Sequence, residues 1–274
     1  MIAALPRLHA VTDDRVAAAP DLVAKATAMA AVAGQDLAVH LRSRALTGQA
    51  FVHTARALAA ALHPYGSWLV INDRADVARA VAAQGVVTGR GGLVPADVRR
   101  VAPAAVVGRS VHDAAETRAA ADADFLVAGA VFPTTSHPGA TPAGLDVVRT
   151  AAATGHPVIA IGGLTAARTP EVLEAGAHGI AAIQALWDPV DVAAAVAGFL
   201  DALPTVDLVD VEINGEPRHA RRGITLAELL GDLSLDARAV VVEHNRHIVR
   251  RDTLGTVRIA DGDRIELVHF VGGG

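Results

Sequence analysis

The sequence predicts an α/β fold, a (β/α)8 TIM barrel over residues 1–203, followed by a smaller α+β unit over residues 204–274. Three observations carry this. From residue 8 to about 203, short apolar runs alternate with Ala-rich helical stretches, and the count of pairs closes at eight. The runs are continuously apolar, which suits strands buried on both faces of a parallel sheet. After Ala202-Leu203-Pro204-Thr205 the alternation gives way to shorter strands separated by tight-turn signals.

In order, the strands are expected at Leu8–Thr12, Leu37–Leu41, Trp68–Asn72, Gly85–Thr88, Ala105–Arg109, Phe125–Ala128, Pro157–Ile161 and Gly179–Ile183. The helices that follow them are expected at Asp21–Ala33, Thr47–His63, Ala75–Ala83, Pro95–Ala102, Ala114–Ala121, Leu145–Ala153, Pro170–Ala175 and Val190–Leu203. Eight such units in roughly 200 residues lie at the lower end of the barrel range. An open doubly wound sheet would show the same alternation; the count of eight favours closure. In the second unit, Val206–Asn214 alternates up to Ile213-Asn214-Gly215-Glu216, whose Asn-Gly is a hairpin signal. A return strand near Arg218–Arg221 leads to a helix at Thr225-Leu226-Ala227-Glu228-Leu229-Leu230, where Thr225 and Glu228 fit a capping box. Strands at Ala239–His244, His247–Val249 and Arg264–Val271 complete the order of a ubiquitin-like β-grasp domain; an α+β module of another purpose would fit the same pattern.

Composition narrows the chemistry. The chain is 52% hydrophobic, 19% charged and 3% aromatic, so its core is built from Ala, Val and Leu. A formal net charge of −5 argues against nucleic acid and against a polybasic membrane contact. The absence of cysteine removes disulfides, thiolate metal ligands and a Cys nucleophile. Lys25 is the only lysine, and it falls on the first predicted helix, away from the strand ends where a Schiff base would form. Uncharged stretches carry prolines and glycines that exclude a bilayer-spanning helix. The segment Met1–Arg7 lacks the features of a signal peptide. A soluble, cytoplasmic protein is expected, with no membrane or nucleic-acid partner.

In barrels of this kind the chemistry sits at the C-terminal strand ends. After the second strand, alternation would turn His40, Arg42 and Arg44 the same way, and two guanidiniums there suit a carboxylate or phosphate; surface charges would look alike. After the third come Asn72 and Asp73, a rim amide and carboxylate that also suit a helix N-cap. Ser110 and His112 follow the fifth, as a ligand hydroxyl and a proton carrier or packing group. The sixth runs into the longest loop, Gly129–Gly139, whose Thr134, Ser136 and His137 could cover a polar ligand and donate a proton; an inert surface loop is the plainer reading. Gly162-Gly163 after the seventh strand and Ile183-Gln184 after the eighth stand where such barrels bind phosphate on bare backbone N–H groups.

The segments Leu8-His9-Ala10-Val11-Thr12-Asp13, Ile71-Asn72-Asp73-Arg74, Val107-Gly108-Arg109-Ser110-Val111-His112, Val131-Phe132-Pro133-Thr134-Thr135-Ser136-His137 and Ile159-Ala160-Ile161-Gly162-Gly163 resemble, in this order, the thiamine-phosphate synthase and thiazole tautomerase (TenI-like) family. The resemblance implies a barrel that binds a thiazole phosphate, with the phosphate on Gly163 and Ile183-Gln184, and with Asn72, Ser110, Thr134 and Ser136 at ligand positions. Synthases expel diphosphate with Mg²⁺ held by carboxylates after the third and fourth strands. Asp73 fills the first position, but Thr88-Gly89-Arg90-Gly91-Gly92 has no acid. His137 replaces the diphosphate-binding lysine of the family pattern, and His40 the Gln of its Gln-x-Arg pattern. This favours the tautomerase, which needs no metal or other cofactor: Arg42 and Arg44 hold the substrate carboxylate, His137 moves the proton and His112 is second. Tautomerases of this kind carry histidine where this chain has Ala130. A synthase using Mg²⁺, or an inactive scaffold barrel, are the alternatives.

The C-terminal segment resembles the sulfur carrier of the thiamine pathway (ThiS-like), through its β-grasp order, Asp261-Gly262-Asp263-Arg264-Ile265-Glu266 and the terminal Gly272-Gly273-Gly274. The third glycine departs from the usual Gly-Gly ending. The resemblance implies a carboxylate at Gly273-Gly274 that becomes a thiocarboxylate, a ThiF-like adenylating enzyme that uses ATP, and a thiazole synthase as recipient. A homo-oligomer is compatible with all of this.

Overall fold

The computed structural model describes residues 5–134, 141–203, 208–221, 223–233 and 235–269. The chain divides into two compact units, Met1–Leu203 and Pro204–Gly274. In the first, β1 (Leu8–Val11), β2 (Leu37–Leu41), β3 (Trp68–Asn72), β4 (Gly85–Thr88), β5 (Val106–Val111), β6 (Phe125–Ala128), β7 (Val158–Ile161) and β8 (Gly179–Ala182) are parallel and close into a barrel in sequence order. Closure is direct: Leu8 of β1 stands opposite both Leu37 of β2 and Ile180 of β8. The helices are α1 (Asp14–Ala17), α2 (Leu22–Ala33), α3 (Gly48–Leu62), α4 (Ala75–Ala80), α5 (Pro95–Val101), α6 (Ala114–Ala119), α7 (Leu145–Ala152), α8 (Thr169–Glu174), α9 (Gln184–Trp187) and α10 (Val192–Ala202).

Local chemistry explains where these helices begin. Asp13, Thr47, Asp113 and Asp191 sit in extended conformation and accept hydrogen bonds from first-turn N–H groups of α1, α3, α6 and α10. Pro95 opens α5, where its missing N–H costs nothing. The one-turn helix α1 has no counterpart in the expected elements, because four residues are too few for a readable period. Strand β5 runs to Val111 instead of ending at Arg109, since Ser110 and Val111 pair with Val127 and Ala128 of β6. Strand β8 stops at Ala182, and Ile183 becomes the cap of α9.

Side chains alternate across each strand. Leu8, Ala10, Leu37, Val39, Leu69, Ile71, Val86, Val107, Leu126, Val158 and Ile180 face outward into the layer shared with the helices. Val11, Ala38, Trp68, Val70, Val87, Phe125, Val127, Ile159 and Ala181 fill the barrel. Phe125 is fully buried and takes the space that Gly108 leaves: a Cβ on Gly108 would stand 2.4 Å from the Phe125 ring.

Two histidines share this interior. His9 and His40 are buried, and Nδ1 of His9 lies 2.7 Å from Nε2 of His40. Nε2 of His9 bonds the carbonyl of Pro6 at 2.8 Å. Burial pushes His9 down to about 4, against the pull of the Pro6 carbonyl and with a further push from His178. Burial, then the neighbouring His9, hold His40 well below the usual imidazole range, with the Asn72 side chain working the other way.

In the second unit β9 (Leu208–Ile213), β10 (Glu216–Arg221), β11 (Val240–His244), β12 (His247–Val249) and β13 (Arg264–His269) form one sheet in the order β10-β9-β13-β11-β12, with β13 parallel to β9. The hairpin turn has φ of +51° at Asn214 and +76° at Gly215, the left-handed geometry that Asn-Gly tolerates. Helix α11 (Leu226–Asp232) starts with the expected capping box, Thr225 Oγ1 accepting from Glu228 N and Glu228 Oε2 from Thr225 N at 2.7 Å. Its Leu226, Leu229 and Leu230 join Val209, Val211, Val242 and Ile265 in a separate core. Among the described residues no helix is long and apolar enough to cross a membrane.

Gly108→Ala is expected to cost about 1–3 kcal/mol through overpacking against Phe125, read as a lower denaturant midpoint of the barrel transition. The histidine pair gives a pH dependence. Unfolded histidines bind protons below about pH 6.5, whereas folded His9 stays neutral down to about 4, so stability falls as pH drops through that window. At pH 5.5 the loss should be about 1 kcal/mol for each such histidine, and His40→Gln should shrink the acid-side drop in melting temperature.

Candidate active site

The carboxyl ends of the strands bring together three groups of residues, each fixed by backbone constraints. The first is Gly162-Gly163 after β7. Gly162 has a φ of +104° and Gly163 of +64°, and a Cβ on either would collide with the loop after β6, 2.7 Å from Ala130 Cα and 2.5 Å from the Pro133 carbonyl. That loop is zipped to the glycines by Val131 N to Ile161 O (2.9 Å) and Phe132 N to Gly162 O (3.0 Å). Arg168 donates to the Gly163 carbonyl at 2.9 Å while its guanidinium lies 4.6 Å from the Phe132 ring centroid. The segment must therefore be bare backbone. Ile183-Gln184 opens the short helix α9 on the adjacent strand, so the two phosphate-binding positions of such barrels are both present.

The second group lies between β3 and β4. Asp73, the first residue past β3, has a φ of +61° and its Oδ1 accepts from Gly89 N at 3.0 Å. A Cβ on Gly92 would come within 2.8 Å of that oxygen, so the glycine loop is moulded to the carboxylate. The far side of the loop is held by Arg109, which donates to Thr88 Oγ1 at 2.9 Å and to the Leu93 carbonyl at 3.0 Å. Arg90 turns away to pair with Glu116. Asp73 is thus the lone acid of this corner, and among the described residues no three His, Cys, Asp or Glu side chains gather as a metal cluster. Asn72 faces inward beside it, its Oδ1 buried without a hydrogen-bond partner. Ser110 stands on the interior register of β5, partly exposed.

The third group follows β2, and here the expected row of His40, Arg42 and Arg44 is corrected. The strand ends at Leu41, so alternation does not carry on to the arginines. His40 is sealed inside the barrel on His9, where it cannot touch a ligand at the rim. Arg42 is half-buried, its main chain clamped to Thr12, which accepts from Arg42 N at 2.9 Å and donates to Arg42 O at 2.8 Å. Arg44 is exposed, and its main-chain N–H is gathered by Asp14 along with Ser43 Oγ and Ala45 N. Those bonds, Ser43 first, hold the Asp14 carboxyl below its usual range.

His112 is 52% exposed and bound to Glu116 through both its main-chain N–H (2.9 Å) and Nδ1 (2.8 Å). The pairing with His112 and Arg90 keeps Glu116 ionised, opposing its partial burial. The Nδ1 bond orients the ring and leaves its Nε2 to other partners. Thr134 is half-buried at the edge of its loop; Ser136, His137, Gly273 and Gly274 lie outside the described residues. Lys25 lies on the helical face as expected, bonding the Trp187 carbonyl at 3.0 Å and Asp21 at 3.2 Å. Sequence reasoning missed His9. Its signal was parity: His9 and Val11 share a face, as do Ala38 and His40.

Comparison with known proteins agrees with this geometry. The family described as thiamine monophosphate synthase matches residues 8–186, and the ThiS family matches residues 211–274. A thiamine-phosphate synthase of Salinispora arenicola is 40% identical over 209 residues, covering 74% of this chain and 99% of the relative. One of Mycobacterium bovis is 42% identical over 153 residues, 53% of this chain and 68% of the relative. Among solved structures, thiamine phosphate pyrophosphorylase from Pyrococcus furiosus superposes with a TM-score of 0.63 at 28% identity, covering 72% of this chain and 95% of that one. With its barrel matched along the strands that build the site, the chain belongs to the thiamine monophosphate synthase family and carries a ThiS-family domain at its C-terminal side.

Proposed function

We propose that the barrel is a thiamine-phosphate synthase, joining a pyrimidine diphosphate to a thiazole phosphate with release of diphosphate, and that the second unit is a sulfur carrier of the same pathway. The observation that carries the first half is the 40% identity with a relative of that name over nearly its whole length. On this reading Gly162-Gly163 and Ile183-Gln184 hold the thiazole phosphate, and Arg42 and Arg44 face the diphosphate. Thr134, Ser136 and His137 are the polar residues this reading assigns to the loop after β6, with His137 in place of a lysine.

The donor set tests the magnesium that this reaction implies. Mg²⁺ takes one or two protein carboxylates and completes its octahedron with phosphate oxygens and water. Asp73 keeps one oxygen free of Gly89 and fits that pattern, as the only protein acid of the corner. The ion, when bound with the diphosphate, neutralises charge on the leaving group. The protein's own part is positioning: glycine backbone against one anion, guanidinium against the other, and exclusion of water by the loop after β6.

One observation favours a second reading. The loop Gly89–Gly92 offers no acid opposite Asp73, which suits the metal-free thiazole tautomerase. There Arg42 and Arg44 would hold the substrate carboxylate and His137 would move the proton. In the second unit, the Gly274 carboxylate would be activated with ATP by a ThiF-like enzyme and converted to a thiocarboxylate for a thiazole synthase.

The full chain, assayed in parallel with the pyrimidine diphosphate plus thiazole phosphate and with the non-aromatic thiazole tautomer, decides between these. The synthase reading expects thiamine phosphate and diphosphate in equal amounts, dependent on Mg²⁺. Aromatisation without diphosphate release selects the tautomerase instead, and turnover of neither selects a scaffold. Asp73→Asn should lower synthase kcat/KM by about 100-fold and raise the Mg²⁺ concentration needed, since no second carboxylate compensates.

A further inference from the structure

The loop after β6 is laced to the turn after β7 by consecutive backbone bonds that stop at a proline. Val131 N donates to the Ile161 carbonyl at 2.9 Å and Phe132 N to the Gly162 carbonyl at 3.0 Å. One residue further on, Pro133 faces Gly163, where a Cβ on the glycine would stand 2.5 Å from the Pro133 carbonyl oxygen. Pro133 has no N–H to give. Nη1 of Arg168 donates to the Gly163 carbonyl instead, at 2.9 Å, and the same guanidinium lies 4.6 Å from the Phe132 ring centroid. One side chain thus grips both the turn and the loop.

The place of Arg168 in the chain is unusual for its type. It is the N-cap of α8, where Ser, Thr, Asp or Asn would accept from a first-turn N–H. Arginine has no acceptor, and its side chain makes no capping bond. A trans peptide points its C=O and its N–H in opposite directions. Holding the carbonyls of Ile161, Gly162 and Gly163 therefore aims the N–H groups of Gly162, Gly163 and Leu164 away from Val131, Phe132 and Arg168.

We propose that Arg168 is a positioning residue. It supplies the donor that Pro133 lacks, fastens the loop after β6 to the glycine turn, and aims the Leu164 N–H. The inference rests on the reading in which this turn holds the thiazole phosphate, and it adds a residue that sets the grip on that phosphate through the backbone.

Arg168→Asn tests this on the full chain, because asparagine suits the cap of α8 and is too short to replace the guanidinium. Its melting temperature should hold or rise. Without ligand, the Phe132 amide should exchange with solvent at least about tenfold faster than in the wild type, as the lacing loosens. In calorimetric titration the dissociation constant for the thiazole phosphate should rise about tenfold, while that for the phosphate-free thiazole alcohol stays within about twofold. Weaker phosphate binding with unchanged Phe132 exchange would make Arg168 a direct ligand contact and overturn the proposal. Faster exchange with unchanged binding overturns it too, since the role would be structural only, as does an equal loss for ester and alcohol. A wild type that binds the thiazole phosphate without forming thiamine phosphate would sink the synthase reading and leave this role standing. One that binds neither probe overturns both.

Discussion

Closure of the eight strands is the constraint on which everything in the first unit depends. Once β8 pairs back on β1, each strand has an inside, and its content is set by parity alone. A chain with 3% aromatic residues fills that space with Val, Ile and Ala around Trp68 and Phe125, and needs Gly108 bare to admit the phenylalanine. The remaining interior volume goes to His9 and His40. Polar groups so deep are tolerated because they find partners, His9 bonding both His40 and the Pro6 carbonyl.

The mouth is asymmetric in charge. On the β7 side the rim is bare main chain, shaped by glycines whose Cβ would clash with the loop after β6. On the β2 side stand Arg42 and Arg44, whose backbones are clamped by Thr12 and Asp14. Between them, Asp73 stands against a glycine loop that supplies N–H groups and no carboxylate.

Much of this was legible in the residues. Trp68–Asn72, Gly85–Thr88 and Phe125–Ala128 are the strands their apolar runs indicate, and the Asn214-Gly215 turn and Thr225–Glu228 box follow from local chemistry alone. What escaped depends on register between distant segments. His40 reads as a rim residue because it begins the His40-Leu41-Arg42 series, yet its place is set by Val11 standing opposite it. His112 reads as a proton carrier or a packing group, and only the turn of α6 shows its partner, Glu116. Likewise Arg44 is positioned by Asp14, thirty positions away, through a main-chain bond that no side-chain pattern announces.

The fate of the single lysine has a consequence for the carrier half. An activated C-terminal carboxylate is an acylating agent, and ε-amines are the nucleophiles it most readily consumes. Here every Lys or Arg other than Lys25 is an arginine, whose guanidinium stays protonated and unreactive. Lys25 itself is occupied by Asp21 and the Trp187 carbonyl. On the carrier reading proposed above, a chain with one lysine offers a single side-chain ε-amine that could attack an activated carboxylate.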